Sequence, residues 1–308
     1  MDDDVMLEEI RETLQAVCAF GVVEWERCER EKVIAAVRLM ANEEDEMEYR
    51  AEGLYRGDCL DWLRSLPDGC VDFIFTDPPY GHNNNNSNGD LAHRRECALG
   101  LRTGPPAEER PIANDGPEAM DLFREFMVEA ARLLKPGCCC CCCGGGGGPA
   151  PQFAHWSLIM DECLGFKHMV VWDKGPMGMG WHYRRSYEVV LVGQKPGAKC
   201  AWFDTSHRIE NVIRSIRKII PSAAQHPTQK PVALAEHFIR LHCQPGGLVI
   251  DPFLGSGTTA VAAIRLGMRW GGAEMEPTYW PMIEKRVAEA EAEMGQRLPL
   301  EFGKEEVH

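Results

Sequence analysis

Asp77-Pro78-Pro79-Tyr80 puts a carboxylate, a stiff diproline turn and a phenol directly after the apolar run Val71 to Thr76. That set suits one demanding reaction, the alkylation of an exocyclic amino group on a nucleobase. The nitrogen lone pair of such a group is delocalised into the ring and points at nothing useful. Two acceptors gripping its two N–H bonds pull the nitrogen toward tetrahedral geometry and turn the lone pair outward. Asp77 supplies one acceptor and the backbone carbonyl of Pro78 the other, while the prolines have no N–H to compete. Tyr80 offers a flat face on which an extruded base can stack. Such a site works by positioning and electrostatics, without a covalent nucleophile. The amino proton leaves only after transfer has begun, to Asp77 or to water. The same four residues also fit an ordinary turn with a packed tyrosine; their place at a strand end and their company weigh against that.

The company is Leu248-Val249-Ile250-Asp251-Pro252-Phe253-Leu254-Gly255-Ser256-Gly257-Thr258-Thr259-Ala260, a strand, a glycine turn and a helix start. Gly255 and Gly257 permit close backbone approach, and the helix start offers unpaired N–H groups. Glu274 and Glu276 end a second apolar run, where a carboxylate accepts both hydroxyl protons of a ribose. Three readings stand on this segment alone: a dinucleotide site, since Gly255-x-Gly257-x-x-Ala260 fits that fingerprint; an S-adenosylmethionine site; or a plain strand–helix turn. A phosphate-binding P-loop is excluded, because no Lys-Ser/Thr follows the last glycine. Asp251 favours S-adenosylmethionine: it can hold an ammonium group, whereas it would repel a pyrophosphate.

The elements that must position these loops alternate between short apolar strands and helices from about residue 50 onward, which predicts an α/β fold with a mostly parallel open sheet and helices on both faces. Strands are expected at 71–76, 168–172, 187–192, 248–251 and about 270–273, and helices at 118–134, 151–164, 232–242, 258–266 and from about 279. Ligands of such sheets bind at the carboxyl ends of the strands, where both motifs lie. Residues 1–49 form an acidic helical appendage with 15 acids and 5 bases, residues 50–290 the main domain, and residues 291–308 a tail. The chain of 308 residues carries a net charge of −14, but residues 167–230 hold 11 Lys/Arg against 4 Asp/Glu, a stretch suited to phosphates. No apolar run is long enough to cross a bilayer, and the acidic start is unlike a secretory signal; a soluble, cytoplasmic protein is expected. Fourteen cysteines include six in a row, Cys138 to Cys143. Neighbouring strand residues point to opposite faces, so this run cannot converge on one metal, and it is read as a buried strand of reduced thiols, with no metal site.

Together, Asp77 to Tyr80, His226-Pro227-Thr228-Gln229-Lys230-Pro231 and Asp251 to Thr259 resemble the amino-group DNA methyltransferases, with the tetrad-first motif order of the β class. The resemblance covers about residues 50–290. It implies a Rossmann-like methyltransferase fold with a seven-stranded sheet containing one antiparallel strand, S-adenosylmethionine as donor, DNA as partner and a flipped target base. It implies further that Asp251, Phe253, Gly255 and Gly257, with Ser256 and Thr258 in the same loop, surround the methionine part of the cofactor. Thr228 and Lys230 would lie near its carboxylate, Glu274 at its ribose and Asp58 at its adenine; Asp77, Pro78, Pro79 and Tyr80 would engage the base, with Asp77 also bordering the cofactor. Recognition elements are expected in 81–117 and 193–225, with Arg184, Arg185, Arg208, Arg214, Arg217 and Lys218 as DNA contacts. Trp172 is expected in the core. Family members with aspartate at the first tetrad position more often modify adenine N6, so that is the expected target, with cytosine N4 as runner-up. β-class relatives are often dimers, which makes a homodimer the expected assembly. The rivals from other classes are a dinucleotide-dependent oxidoreductase and a DNA-binding module without catalysis.

Overall fold

Alternation along the cysteine run decides which layer each thiol joins. In a computed structural model that describes residues 51–81, 116, 118–144, 152–175, 186–219 and 229–301, Leu134–Gly144 is a strand, β3. Cys140 and Cys142 join the core on one face of the sheet, while Cys139, Cys141 and Cys143 join the core on the other. All five are buried. A thiol behaves as a small hydrophobe, and a strand covered on both faces needs apolar residues at every position. The run therefore fits its place, and its cysteines are free thiols as expected.

Around β3 lie β1 (Gly53–Arg56), α1 (Cys59–Arg64), β2 (Val71–Thr76) and α2 (Ala119–Leu133), then α3 (Phe153–Cys163), β4 (Phe166–Asp173), β5 (Tyr187–Gln194) and β6 (Val212–Ile213). The chain continues through α4 (Val232–His242), β7 (Leu248–Asp251), α5 (Thr258–Arg265), β8 (Arg269–Glu274) and α6 (Trp280–Glu301). The strand order is β1-β8-β7-β2-β3-β5-β4-β6. Every neighbouring pair is parallel except those made by β5, which runs against β3 and β4. This is the Rossmann-like sheet with its single antiparallel strand; the eighth strand beyond the expected seven is the two-residue β6 at the edge.

Helices α1, α2 and α3 cover one face, through Trp62, Phe123, Phe126, Trp156 and Met160. The other face is covered by α4 and α5, through Leu234, Phe238, Ile239, Ala262 and Ala263. The expected strands and helices appear with ends shifted by one or two residues, except β3, which starts at Leu134, four residues before the cysteine run. Three short elements, β1, α1 and β6, were not foreseen: four apolar or polar residues around Gly53 carry too little period. Helix α6 also continues past Ala290 to Glu301, so the segment expected as a tail from residue 291 begins as helix. Among the described residues no helix is long and apolar enough to cross a membrane. The appendage 1–49, most of the loop 81–117, Arg184, Arg185 and Thr228 lie outside the described residues.

Candidate active site

Strand β2 pairs in parallel with β7, Phe73 beside Val249 and Ile74 beside Ile250. The turns that leave them, one starting at Asp77 and the other at Asp251, therefore emerge side by side at the carboxyl edge of the sheet. A direct clasp joins them. Thr76 Oγ1 donates to Asp251 Oδ1 at 2.5 Å, Thr259 Oγ1 donates to Oδ2 at 2.6 Å, and the Phe253 N–H donates to Oδ1 at 3.0 Å. Asp251 is only 4% exposed, and burial pushes its carboxyl up to about 6 against the pull of those three donors. Each of its oxygens accepts from the chain, which fixes one loop against the other, and a carboxylate keeps further lone pairs for a ligand's ammonium group.

The tetrad is held by charges from two further strand ends and from the loop before α4. Tyr80 donates its hydroxyl to Asp77 Oδ1 at 2.5 Å, and Lys230 Nζ lies 2.5 Å from Asp77 Oδ2. Lys230 also reaches the Tyr80 hydroxyl at 3.2 Å and Glu188 Oε2 at 3.5 Å, and its ammonium sits 5.5 Å from the centre of the Tyr80 ring. Glu188, on β5, is paired in turn with Lys174 at 2.8 Å. Two carboxylates thus share one buried ammonium, but only one has a second cation. Burial pushes both up; in Glu188 the attraction of Lys230 and Lys174 outweighs it and holds the carboxyl below its ordinary value. In Asp77 burial wins over Lys230, and the carboxyl stays above its ordinary value. The Tyr80 hydroxyl is raised by burial and by Asp77, so it remains a donor. Its ring packs tilted against Trp156, centroids 5.8 Å apart.

Lys230 links the two loops as well, since its carbonyl accepts from Thr258 Oγ1 at 3.2 Å. The resemblance implies that its side chain lies near a cofactor carboxylate; in the structure that side chain contacts Asp77, Tyr80 and Glu188. Glu188 and Lys174 escaped the sequence reading. The available clue was a charge, Glu188, at the head of a strand whose next residues, Val189 to Val192, are all buried: a carboxylate there requires a cation beside it.

The glycine turn follows β7 closely. Gly255 and Gly257 adopt φ of 53° and 75°, a region that favours glycine. The Leu254 N–H donates to Ala273 O at 2.9 Å, and the Gly255 N–H donates to Glu274 Oε2 at 2.8 Å. Glu274 Oε1 accepts from the Glu276 N–H at 2.8 Å, and burial pushes its carboxyl up from 4.5 to about 7 despite both bonds. Ser256 and Thr258 share a hydroxyl contact of 3.0 Å, and Arg286 on α6 donates to the Ser256 carbonyl. The Phe253 ring meets Phe126 edge to face at 5.5 Å. Asp58 caps α1 through the Leu60 N–H at 2.8 Å, and the preceding Gly57 N–H bonds Glu274 O at 3.1 Å, which brings Asp58 to the same edge as Glu274.

A carboxyl whose folded value is raised binds its proton more tightly folded than unfolded, so its contribution to stability is lost as pH rises through that window. Between about pH 4.5 and 7 the Glu274 contribution to stability therefore falls. Glu274→Gln flattens that part of the stability–pH curve, as followed by thermal unfolding; an unchanged slope would refute it.

On the far edge of the sheet, Arg208, Arg214, Arg217 and Lys218 are exposed. Arg214 pairs with Glu210 at 2.9 Å. Their segment is anchored where Trp172, 2% exposed and in the core as expected, donates Nε1–H to Ile216 O at 2.7 Å. Exposed Trp202 and Phe203 precede them.

Comparison with known proteins gives a match of residues 71–285 to the family described as DNA methylase, N6_N4_Mtase. Over 250 residues the chain is 23% identical to the Type II methyltransferase M2.MboI of Moraxella bovis, covering 77% of this chain and 87% of that one. The crystal structure of TTHA0409 from Thermus thermophilus complexed with S-adenosyl-L-methionine superposes with a TM-score of 0.55 at 23% identity, covering 78% and 94% of the two chains. The cytosine-N4-specific PvuII DNA methyltransferase gives 0.57 at 21% identity, with 79% and 92% covered. The match runs through the tetrad, Lys230 and the glycine turn together, which removes the dinucleotide-dependent oxidoreductase reading that rested on the turn alone.

Proposed function

Since the chain belongs to the N6/N4 DNA methylase family, we propose that it is a DNA adenine-N6 methyltransferase using S-adenosylmethionine. The observation that carries the reading is the contrast between two carboxyls around Lys230. Glu188, with two cations, keeps its charge; Asp77, with a share of one, is the group disposed to take a proton. That is the property needed beside an amino nitrogen that sheds its proton late.

The glycine turn suits the cofactor on two counts: left-handed backbone at Gly255 and Gly257 lets a ligand approach the main chain closely, and Glu274 is a buried acid with lone pairs left for ribose hydroxyls. Asp58, Asp251, Phe253, Gly255, Ser256, Gly257, Thr258 and Glu274 are the residues proposed to hold it, with Thr228, Lys230 and Asp77 alongside. When bound, S-adenosylmethionine supplies an electrophilic methyl group on sulfur. The chain's own residues do the rest. Asp77 and the Pro78 carbonyl accept the two amino N–H bonds of the target base and turn its lone pair outward. Tyr80 keeps Asp77 oriented through its hydroxyl while its ring is available for stacking. Lys230 pins both loops and moderates the charge of Asp77. As the nitrogen becomes positive, Asp77 receives its proton. Arg208, Arg214, Arg217 and Lys218, with Arg184 and Arg185, are proposed phosphate contacts.

Adenine is chosen because aspartate holds the first tetrad position, the commoner arrangement in adenine enzymes. The test is to methylate mixed-sequence DNA, digest it to nucleosides and identify the product by mass spectrometry. N6-methyladenine is expected. N4-methylcytosine alone would overturn the choice of base while sparing the mechanism.

A further inference from the structure

We propose that Cys139, Cys200 and His242 form a binding site for a zinc-class divalent cation, remote from the tetrad. The three residues are distant in sequence and come from different elements. Cys139 lies on β3, Cys200 in the segment after β5, and His242 is the last residue of α4. Their donor atoms all lie within 4.8 Å of one another, and the two sulfurs are 3.8 Å apart. Two thiolates on a tetrahedral ion, with metal–sulfur bonds of about 2.3 Å, stand about 3.8 Å from each other. The sulfur spacing is therefore already that of a bound ion, and only the imidazole has to close in. Alternation along β3 puts Cys139, Cys141 and Cys143 on the α4 side and Cys140 and Cys142 on the opposite layer; of these, Cys139 is the one that meets Cys200 and His242.

The histidine is suited to the role. Its ring is stacked on Phe73 with centroids 5.7 Å apart and meets Trp202 edge to face at 5.2 Å, which limits its rotation. Its Nδ1 lies 3.3 Å from the Ala201 carbonyl. A carbonyl only accepts, so Nδ1 carries the proton and the other nitrogen keeps its lone pair. A metal must displace the thiol protons to bind, so uptake releases protons to solvent. Cys200 is part-buried, so water can complete the coordination shell.

The position defines the consequence. Cys139 pairs with Phe73 and Gln194, three residues before Cys142, which pairs with Thr76 at the tetrad's edge. The site is thus toward the opposite edge, where the cation would staple the segment carrying Cys200, Trp202 and Phe203 to β3 and α4. That segment leads to Arg208. The ion is therefore assigned a structural role in presenting the basic segment, and no part in methyl transfer.

The full reduced chain, stripped of metal under anaerobic conditions, is titrated with Co²⁺ and then with Zn²⁺. A single equivalent of Co²⁺ should bind with thiolate-to-cobalt charge-transfer absorption that Zn²⁺ bleaches. Cys200→Ser, at a part-buried position, should halve that absorption and weaken Zn²⁺ binding by at least about tenfold. His242→Gln should also weaken Zn²⁺ binding and keep the absorption, and Cys142→Ala, on the other face, should change neither. Absence of charge transfer in the parent chain overturns the inference, as a mere S–H···S contact would give none. So does equal metal binding by the parent chain and both ligand variants, each shown folded by circular dichroism.

Discussion

Asp77→Ala should abolish methyl transfer, lowering turnover by ~10³-fold or more, while S-adenosylmethionine still binds. Loss of one oriented hydrogen-bond partner in an active site costs about 10²–10³-fold, and here the same side chain is also the proposed proton acceptor. Cofactor binding survives because the glycine turn is built by Glu274, Asp251 and Arg286, none of which touches Asp77 through a hydrogen bond. The two readouts are transfer of labelled methyl to DNA and equilibrium binding of the labelled cofactor. Asp77→Asn keeps one carbonyl acceptor but cannot take the proton, so its loss should be smaller at the grip and remain at the proton step. Asp77→Ala activity within about tenfold of the parent chain would refute the assignment of Asp77, whatever the cofactor does.

Lys230→Met should destabilise the chain by about 3–5 kcal/mol, the usual cost of stripping one partner from a buried ion pair. Lys230 is 8% exposed and stands between Asp77 and Glu188, so its removal leaves two carboxylates facing each other without the cation they share. The remedy follows from the same geometry. Lys230→Met with Glu188→Leu removes one of the stranded charges, and Lys174, part-exposed, can turn to water. The double variant should recover much of the loss in urea unfolding. A Lys230→Met cost below about 1 kcal/mol, the range of an exposed pair, would show that the cluster is solvated and unimportant to the fold.

The sequence announced the strands and the two loops because each carries strong local physics. Phe73 to Phe75 and Leu248 to Ile250 are apolar runs soon followed by an acid, Asp77 and Asp251, and buried parallel strands look like that. Their adjacency in the sheet was only implied by the motifs; it is β2 pairing with β7 that brings them side by side at one sheet edge. Glu188 was illegible for a different reason. Its importance depends on Lys230 crossing from a loop more than forty residues away in the chain, and no local pattern encodes that pairing. Asp251 stands out by its type, but its clasp on Thr76 and Thr259 depends on two residues whose partnership no local pattern shows. Cys139, Cys200 and His242 were hidden similarly: the run drew attention to itself, while the convergence involves one of its members and two distant residues.

The sandwiching of β3 has a consequence for how the protein meets reagents. Cys140 to Cys143 have almost no surface of their own, so an alkylating probe cannot reach them by local fraying at a terminus. Their reaction must wait for the central strand to lose its cover, which makes thiol labelling a clock for global opening of the sheet.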